Sequence, residues 1–360
     1  MRSLSDFWRG RRVLVTGHTG FKGSWLSLWL QHLGARVTAC ALPPATEPNL
    51  YLLAGPWETQ DHAIVDMRDH APVRDLVRRA APEVVFHLAS QAIVRASFRD
   101  PIGTYATNVM GSLHVLEAIR STPAVRAMVV VTSDKVYEND DGGRPFVETD
   151  RLGGKDPYSS SKACVELAVR SFRDSFLGAG DAPAVATARA GNIIGGGDWA
   201  EDRIIPDIVR ALSNDRVVQL RQPKAVRPWQ HVLDPLRGYL MLAERLVSEP
   251  KASPHAVNFG PQKASAVTVA RLAELLAAEF GMPTGWEKMP GEHPPEAKVL
   301  TLDSTLAKRE LGWQPLLAIE ETIAWTAEWY RGWRGGINAR ALCLDQIARY
   351  EDLSAQGQVS

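Results

Sequence analysis

A hydroxyl, a phenol and an amine lie close together in the middle of the chain. An apolar run that begins at Val129 leads into Ser133, and further on Tyr158 and Lys162 stand four residues apart. In a helix, positions i and i+4 share a face, so Tyr158 and Lys162 would point the same way. An ammonium beside a phenol favours the phenolate and lowers the tyrosine pKa toward working pH. Because Ser133 can orient the same substrate hydroxyl, the pattern predicts a proton-transfer site.

These residues also have a purely structural explanation, in which Pro157 begins a surface helix. A Tyr and a Lys at this spacing occur by chance in many chains. The catalytic interpretation is favoured only when a nucleotide-binding segment precedes the pair.

A glycine-rich turn near the N-terminus supplies such a segment. It follows a predicted buried strand, Arg12–Thr16, and precedes a helical pattern that begins at Ser24. Strand, turn and helix N-terminus together form a site for a pyrophosphate, and the glycines permit the close backbone approach. The spacing is GxxGxxG rather than GxGxxG, and the turn has a structural explanation too, but its position after the first strand favours cofactor binding. The turn residues predicted to bind the cofactor are Gly17, Thr19, Gly20, Phe21, Lys22 and Gly23.

The end of the second predicted strand, Arg36–Ala41, departs from the usual dinucleotide fingerprint. Residues 39–42 contain no Asp or Glu for a ribose 2′-hydroxyl and no arginine cluster for a 2′-phosphate. This position therefore leaves the choice between NAD and NADP open.

Two further strands are predicted over residues 62–66 and 83–89. The first ends in Asp66, which is placed to meet the adenine edge and stands too early to cap a helix over 72–80. The second opens into a loop at 90–95 that should face the ligand crevice of a doubly wound sheet. Asn108, on a helix over 104–119, is predicted to point toward the sheet and to fix this loop. The remaining predicted cofactor contacts are Asp66, Met67, Leu88, Ala89, Gln91, Asn108, Thr132, Tyr158 and Lys162.

Alternating strands and helices extend to about residue 195, with a sixth strand over 184–190. This pattern predicts an α/β fold, a doubly wound, Rossmann-like parallel sheet. Beyond Gly197 the elements are shorter, which predicts a smaller C-terminal α/β lobe for substrate. The predicted division is 1–195 for the dinucleotide-binding domain, with parts of the later chain returning to it, 196–335 for the lobe, and 336–360 for a short C-terminal helix and tail.

Two arginines of the lobe, Arg203 and Arg227, have the planar guanidinium that suits diphosphate oxygens. Either alone would more often be a surface residue. His231 follows Trp229, and a lone histidine is more often structural than catalytic. The predicted substrate contacts are Gln91, Arg95, Ser133, Asn192, Arg203, Gln219, Arg227 and His231.

The composition of the 360-residue chain narrows the functional class. Forty-one basic residues balance 41 acidic ones, so no basic surface favours nucleic acid. Cys40, Cys164 and Cys343 are widely spaced, which indicates reduced thiols and no metal site. The chain has neither a signal-peptide pattern nor an apolar run of membrane-spanning length. These features predict a cytoplasmic protein that contacts neither nucleic acid nor membrane.

Taken together, these motifs resemble the extended short-chain dehydrogenase/reductase superfamily that modifies nucleotide sugars. Within it the chain is similar, along nearly its whole length, to the CDP-glucose 4,6-dehydratases. The motifs that carry the resemblance lie at 17–25, 42–44, 132–135, 157–162, 189–199 and 227–231. Asp134 is followed by Lys135 here, whereas the dTDP-glucose dehydratases have Asp-Glu, and the lysine agrees with the CDP branch. The absence of an acid at 39–42 agrees with that branch too.

The resemblance implies a reaction. Tyr158 would remove the C4 hydroxyl proton of CDP-glucose, while Lys162 binds the nicotinamide ribose and holds the tyrosine pKa low. Hydride would pass from C4 to bound NAD⁺ and return to C6, giving CDP-4-dehydro-6-deoxyglucose with no net redox change. Asp134 would be the acid for the leaving C6 hydroxyl and Lys135 the base at C5, although two such neighbours can share one proton, which leaves their individual roles open. A cofactor that stays bound through the cycle favours NAD over NADP.

Three alternatives stand beside this interpretation. A nucleotide-sugar 4-epimerase shares Tyr158 and Lys162, but it has no use for Asp134-Lys135. A dehydratase of another nucleotide-glucose is open, because the residues alone do not identify the base. A non-catalytic NAD-binding scaffold is disfavoured because Ser133, Tyr158 and Lys162 are all present. The family also implies a homodimer formed through helices near 103–120 and 158–176, with a homotetramer left open.

Overall fold

The computed structural model describes residues 4–177, 180, 182–214, 216–262, 265–283, 285–291 and 299–356. The strands of this part are β1 (Arg12–Thr16), β2 (Arg36–Ala41), β3 (Asp61–Ile64), β4 (Val84–His87), β5 (Ala127–Val131), β6 (Ala184–Arg189), β7 (Ile193–Ile194), β8 (Val218–Leu220), β9 (Val226–Pro228), β10 (Gln230–His231), β11 (Ala256–Asn258), β12 (Ala266–Thr268) and β13 (Trp286–Lys288).

The helices in the same residues are α1 (Leu4–Trp8), α2 (Phe21–His32), α3 (Leu50–Ala54), α4 (His70–Ala80), α5 (Val94–Arg99), α6 (Pro101–Tyr105), α7 (Gly111–Arg120), α8 (Pro157–Phe172), α9 (Ile204–Ser213), α10 (Leu233–Ser248), α11 (Val269–Glu279), α12 (Thr305–Leu311), α13 (Ile319–Arg334) and α14 (Ala339–Gln356). π-Helical turns at Ala106–Met110 and Arg173–Leu177 continue α6 and α8.

Seven strands form one parallel sheet in the order β11-β6-β5-β4-β1-β2-β3. Every residue of β4 and β5 is buried, and both strands are rich in valine. Such continuous apolar runs are typical of parallel strands covered by helices on both faces. The strand order reverses beside β1, so the crevice outside the carboxyl ends of β1 and β4 is the expected ligand site. The predicted doubly wound α/β fold is confirmed.

The seventh strand comes from the part of the chain that the sequence assigned to the lobe. β11 pairs in parallel with the edge strand β6, in register from Ala256 opposite Thr187 to Asn258 opposite Arg189. A parallel pair needs a crossover connection, and α10, which packs on β5 and β6, lies in that connection. β11 therefore belongs to the central sheet, although it follows the start of the lobe in the chain.

The C-terminal helix is longer than predicted. The helix predicted to be short is α14, which has 18 residues and packs against α2, α3 and α13. The predicted tail at 357–360 lies outside the described residues. Tyr350 is fully buried, its ring packs edge-on against Trp29, and its hydroxyl donates a 2.6 Å hydrogen bond to Asp234 Oδ1. α14 therefore belongs to the packed body of the molecule.

The lobe over the crevice is made of small pieces. β9 pairs with β12 antiparallel, β8 pairs with β13 in parallel, and α9 and α11 pack beside them. The two-residue strands β7 and β10 pair with each other between the lobe and the sheet. Among the described residues, no helix is long and apolar enough to cross a bilayer.

Candidate active site

A cavity of about 600 Å³ lies at the carboxyl ends of the central strands, between the sheet and the lobe. This volume is in the range of small-molecule sites. The predicted site residues that line it are Gly17, Thr19, Gly20, Phe21, Lys22, Gly23, Asp66, Met67, Leu88, Ala89, Arg95, Thr132, Ser133, Asp134, Lys135, Tyr158, Lys162, Asn192, Arg203, Gln219 and Arg227. Three predicted residues, Gln91, Asn108 and His231, are not part of its lining.

The glycine turn between β1 and α2 leaves space where a side chain would close it. Gly17 has φ +80°, and a Cβ there would lie 2.6 Å from the backbone nitrogen of Ala89. A Cβ on Gly23 would lie 2.1 Å from the carbonyl oxygen of Gly17. α2 begins at Phe21, so its free backbone N–H groups face this space. The turn therefore fits the pyrophosphate of a dinucleotide.

The adenosine end of the cavity has no acid on β2, since its wall there is Ala41 and Leu42. Asp66 lies in the lining, two residues beyond the end of β3. Arg68 binds both oxygens of the Asp66 carboxylate, at 2.5 and 3.0 Å, and these hydrogen bonds lower the pKa of Asp66. α4 begins after Asp69, so Asp66 does not cap it.

Asn108 fixes the loop after β4, as the sequence predicts. Its Oδ1 accepts from the Gln91 nitrogen at 2.8 Å, and its Nδ2 donates to the Gln91 carbonyl and to Ser161 Oγ. The Gln91 side chain is also engaged within the protein, where it donates to Thr104 and accepts from the backbone of Ile93. These amides hold the loop instead of lining the cavity.

The reactive strand end follows β5. Ser133 Oγ accepts from the Lys135 nitrogen and so caps a short 3₁₀ turn, Asp134–Val136, and it donates to Asp134 Oδ1 at 3.0 Å. Asp134 is almost fully buried, and its Oδ2 accepts from Asn192 Nδ2 at 3.3 Å. A Cβ on Gly191 would lie 1.9 Å from the Asp134 carboxylate, so a side chain there would displace that carboxylate. The carboxylate is thus held between two polar side chains.

Tyr158 and Lys162 stand on one face of α8, whose first residue is Pro157, as the sequence predicts. Burial raises the pKa of Tyr158 to about 12, while a hydrogen bond with Ser133 and the charge of Arg203 act in the opposite direction. The pKa of Tyr158 is thus raised and not lowered, contrary to the sequence prediction. The Lys162 ammonium instead donates to the Val131 carbonyl at 3.2 Å.

Two ammonium groups of the cavity titrate unusually low. Burial lowers the pKa of Lys22 to about 7, and the charges of Lys162 and Arg203 lower it further. Burial lowers the pKa of Lys162 to about 8. The sequence predicted that Lys22 belongs to the cofactor-binding turn. It did not predict that the positive charges of Lys162 and Arg203 lie close enough to lower the pKa of Lys22.

The lobe side of the cavity is lined by arginines with carboxylate partners. Arg203 donates to Asp198 at 3.0 Å, and Asp202 accepts from Arg95 at 3.2 Å and from Arg221 at 2.7 Å. The sequence reasoning missed Asp202 and Arg221, since no local motif marks either one. Two further predicted lobe residues lie on its short strands. Gln219 on β8 donates to Glu287 on β13, and Arg227 lies on β9.

His231 is a core residue. It is fully buried, and its ring lies edge-on to Trp25 and to Trp325. Its Nδ1 accepts from the backbone of Leu233, and burial lowers its pKa to about 3. The predicted substrate contact of His231 is therefore wrong, and the structural alternative is correct.

Known proteins resemble this chain along most of its length. Residues 13–260 match the model of the NAD dependent epimerase/dehydratase family. A CDP-glucose 4,6-dehydratase of Salmonella typhimurium is 43% identical over 349 residues, which are 96% of this chain and 97% of the relative. A dTDP-glucose 4,6-dehydratase of Xanthomonas campestris is 29% identical, over 93% of this chain and 98% of the relative.

Solved structures show the same fold. A UDP-glucose 4-epimerase of Thermotoga maritima superposes with a TM-score of 0.77 at 23% identity, covering 89% of this chain and 99% of its own. A dTDP-glucose 4,6-dehydratase of Streptomyces venezuelae gives a TM-score of 0.77 at 24% identity, covering 91% and 98%. The matched region includes the glycine turn, the Ser133–Lys135 strand end and the Tyr158–Lys162 pair. The chain belongs to the NAD dependent epimerase/dehydratase family.

Proposed function

We propose that this protein is a CDP-glucose 4,6-dehydratase that converts CDP-D-glucose to CDP-4-dehydro-6-deoxy-D-glucose with NAD as its cofactor. The observation that carries the proposal is that one cavity combines Tyr158 and Lys162 with Asp134 and Lys135. Oxidation at C4 needs only the first pair, whereas loss of water across C5 and C6 needs a second acid and base. The Salmonella relative supports the choice of CDP-glucose.

The first step is proton removal at C4. NAD⁺, when bound, accepts the hydride of C4 and later returns it to C6. Tyr158 takes the C4 hydroxyl proton, and Ser133, which is hydrogen-bonded to Tyr158, orients that hydroxyl. Arg203 favours the phenolate electrostatically. Lys162 is anchored to the Val131 carbonyl, and its ammonium would bind the nicotinamide ribose of the cofactor.

The second step is loss of water. The C4 ketone acidifies the C5 proton, which Lys135 removes, while Asp134 delivers a proton to the departing C6 hydroxyl. Ser133 and Asn192 donate to the two oxygens of the Asp134 carboxyl and so fix its orientation in the cavity.

The lobe binds the nucleotide diphosphate. Arg203 and Arg227 both line the cavity, and guanidinium groups pair with phosphate oxygens in two-point geometry. In this proposal residues 1–195, together with α10 and β11, hold the cofactor. The rest of 196–335 closes over the sugar nucleotide.

Assembly as a homodimer is part of the proposal. Ile102 on α6, Met110 after it and Leu167 on α8 expose 79%, 47% and 46% of their surface, while Val165 and Val169 on α8 are buried in the core. An apolar face on adjacent helices is the chemistry of a subunit interface. A monomeric sedimentation coefficient at micromolar concentration would contradict this assembly.

The test is to incubate the purified protein with CDP-glucose and NAD⁺ in D₂O. We expect a 4-keto sugar, measured by its alkaline absorbance, with one deuterium at C5 by NMR. Tyr158→Phe should lower the rate of product formation about 10³-fold, because general acid–base catalysis contributes about 10²- to 10⁴-fold to a rate. Tyr105→Phe, which removes a hydroxyl from α6, should retain activity.

Parallel reactions with dTDP-glucose and UDP-glucose test which nucleobase the substrate carries. Product from another nucleotide alone would keep the chemistry and reject CDP-glucose. Inversion at C4 without a keto sugar and without deuterium at C5 would identify a 4-epimerase. The Asp134-Lys135 pair disfavours the epimerase, because epimerisation does not need a second acid and base.

A further inference from the structure

A buried carboxylate behind the site accepts four hydrogen bonds. Glu166, on α8, has a side chain only 3% exposed. Its Oε1 accepts from Thr132 Oγ1 at 2.6 Å and from Arg189 Nε at 2.9 Å, and its Oε2 accepts from Thr187 Oγ1 at 2.7 Å and Arg189 Nη2 at 2.7 Å. Both oxygens are therefore fully used within the protein.

The position of Glu166 connects the two elements that carry the reactive groups. Tyr158, Lys162 and Glu166 lie at i, i+4 and i+8 of α8, so successive turns present them on one face. Lys162 donates to the carbonyl of Val131, and Glu166 accepts from the hydroxyl of Thr132. Two consecutive residues at the end of β5 are thus fixed by two consecutive turns of the helix.

We propose that Glu166 is a positioning residue of the reaction, which acts through Thr132 to hold Ser133 and Asp134 in register with Tyr158. The inference rests on the proposed function for its kinetic consequences. A displacement of about 1 Å between reacting groups can reduce a rate by about 10²-fold. Ser133 follows Thr132 directly, so any movement of the strand end changes the distance from Ser133 to the phenol.

The two threonines separate this role from simple structural support. Thr132 joins Glu166 to the reactive strand end, whereas Thr187 joins the same carboxylate to β6, four residues before Gly191. Both hydroxyls are buried and make bonds of similar length. Removing either one weakens the packing alike, but only the loss of the Thr132 bond releases Ser133.

The experiment compares Thr132→Val with Thr187→Val, since both changes remove a hydroxyl and keep the shape. We expect Thr132→Val to lower kcat about 10- to 100-fold while the KM for CDP-glucose changes less than about threefold. The acid limb of its kcat/KM profile should move to higher pH, because the Ser133 hydrogen bond that lowers the pKa of Tyr158 is weakened. Thr132→Ser should restore most of kcat, and Thr187→Val should keep the parent kcat and the parent limb.

Equal kcat and equal pH limbs in the two valine variants would overturn the inference, as would failure of Thr132→Ser to restore activity. Urea unfolding monitors folding, and Thr132→Ala replaces Thr132→Val if the valine variant does not fold. An inactive parent enzyme would instead contradict the proposed function, so the two failures are distinguishable.

Discussion

On the sheet side of the cavity, the reactive groups stand on a strand and a helix that one buried carboxylate joins. On the lobe side, Arg95 and Arg221 are held by Asp202, a carboxylate that water partly reaches. The Arg189–Glu166 pair exposes 4% and 3% of its side chains, whereas the Arg95–Asp202 pair exposes 34% and 22%. The two sides of one site are therefore fixed to very different degrees.

This difference matches what each side has to do. Proton transfer requires heavy atoms at about 2.6–3.2 Å from one another, which only a rigid support maintains. Binding a flexible diphosphate tolerates some adjustment, and arginines in half-exposed ion pairs can exchange a carboxylate for a phosphate. We expect changes on the sheet side to affect stability and kcat, and changes on the lobe side to affect KM.

The largest expected effect comes from Glu166→Gln. The glutamine amide carries no charge to balance Arg189. Its NH₂ group would also face the hydrogen-bond donors that now bind the Glu166 carboxylate. Burial alone would lower the pKa of Arg189. The hydrogen bonds and the negative charge of Glu166 outweigh burial and raise that pKa. Breaking a buried ion pair from one side lowers the free energy of unfolding by about 3–5 kcal/mol, measured by urea denaturation.

Glu117→Gln on α7 is the matched control for this prediction. It removes the same charge from an exposed pair with Arg120 and should leave the urea midpoint nearly unchanged. Equal midpoints for the two glutamine variants would mean that the sheet side is not held by its buried pair.

The second prediction concerns His231 and tests whether this residue belongs to the hydrophobic core or to the substrate site. Its folded-state pKa of about 3 lies below the unfolded value of 6.5, so the unfolded chain binds more protons between these values. The stability associated with neutral His231 is present above pH 6.5 and is lost progressively as pH falls toward 3. From pH 7 to pH 5 the loss is about 2 kcal/mol, since each pKa unit is about 1.4 kcal/mol.

We expect His231→Asn to flatten the dependence of the urea-derived unfolding free energy on pH by this amount. His70→Asn, at an exposed position, should keep the parent slope. A large rise in the KM for CDP-glucose in His231→Asn, with an unchanged slope, would return His231 to the site.

The third prediction addresses the lobe directly. Arg227→Lys keeps the charge but removes the two-point guanidinium, so we expect the KM for CDP-glucose to rise about 10-fold with little change in kcat. Steady-state kinetics at saturating NAD⁺ measures both constants. A fall in kcat with constant KM would show that Arg227 positions the reacting sugar, contrary to the contrast between the two sides.

The sequence predicted the sheet side better than the lobe side, for a physical reason. β1, the glycine turn and the Tyr158–Lys162 pair are local patterns, because strand, turn and helix geometry fixes them over a few residues. The same i+4 spacing, extended by one turn, would have identified Glu166. The direction of the Tyr158 pKa and the cavity contacts of Gln91 and Asn108 were predicted wrongly, since burial and the hydrogen bonds of the loop are tertiary effects.

In the second half of the chain, local patterns carried little information. Three-residue strands such as β11 do not reveal which sheet they join, and the 18 residues of α14 have no sequence mark for their partners. Asp202 reaches Arg95 from 107 positions away along the chain. Such contacts are determined by the packing of distant elements, which a single sequence does not display.

The smallest expected effect, and the sharpest test of an adaptable lobe, is Asp202→Asn. Asp202 has φ +62°, a conformation that Asn adopts as readily as Asp, so the change removes a charge without new backbone strain. Partly exposed ion pairs contribute about 0–1 kcal/mol, so the urea midpoint should hardly move. The carboxylate that competes with the diphosphate for Arg95 and Arg221 is then gone, and we expect the KM for CDP-glucose to fall by up to about fivefold at low salt. Since screening weakens such competition, this gain should shrink at 0.5 M NaCl. A rise in KM would mean instead that Asp202 orients the two arginines for the substrate, and that the lobe is as pre-arranged as the sheet.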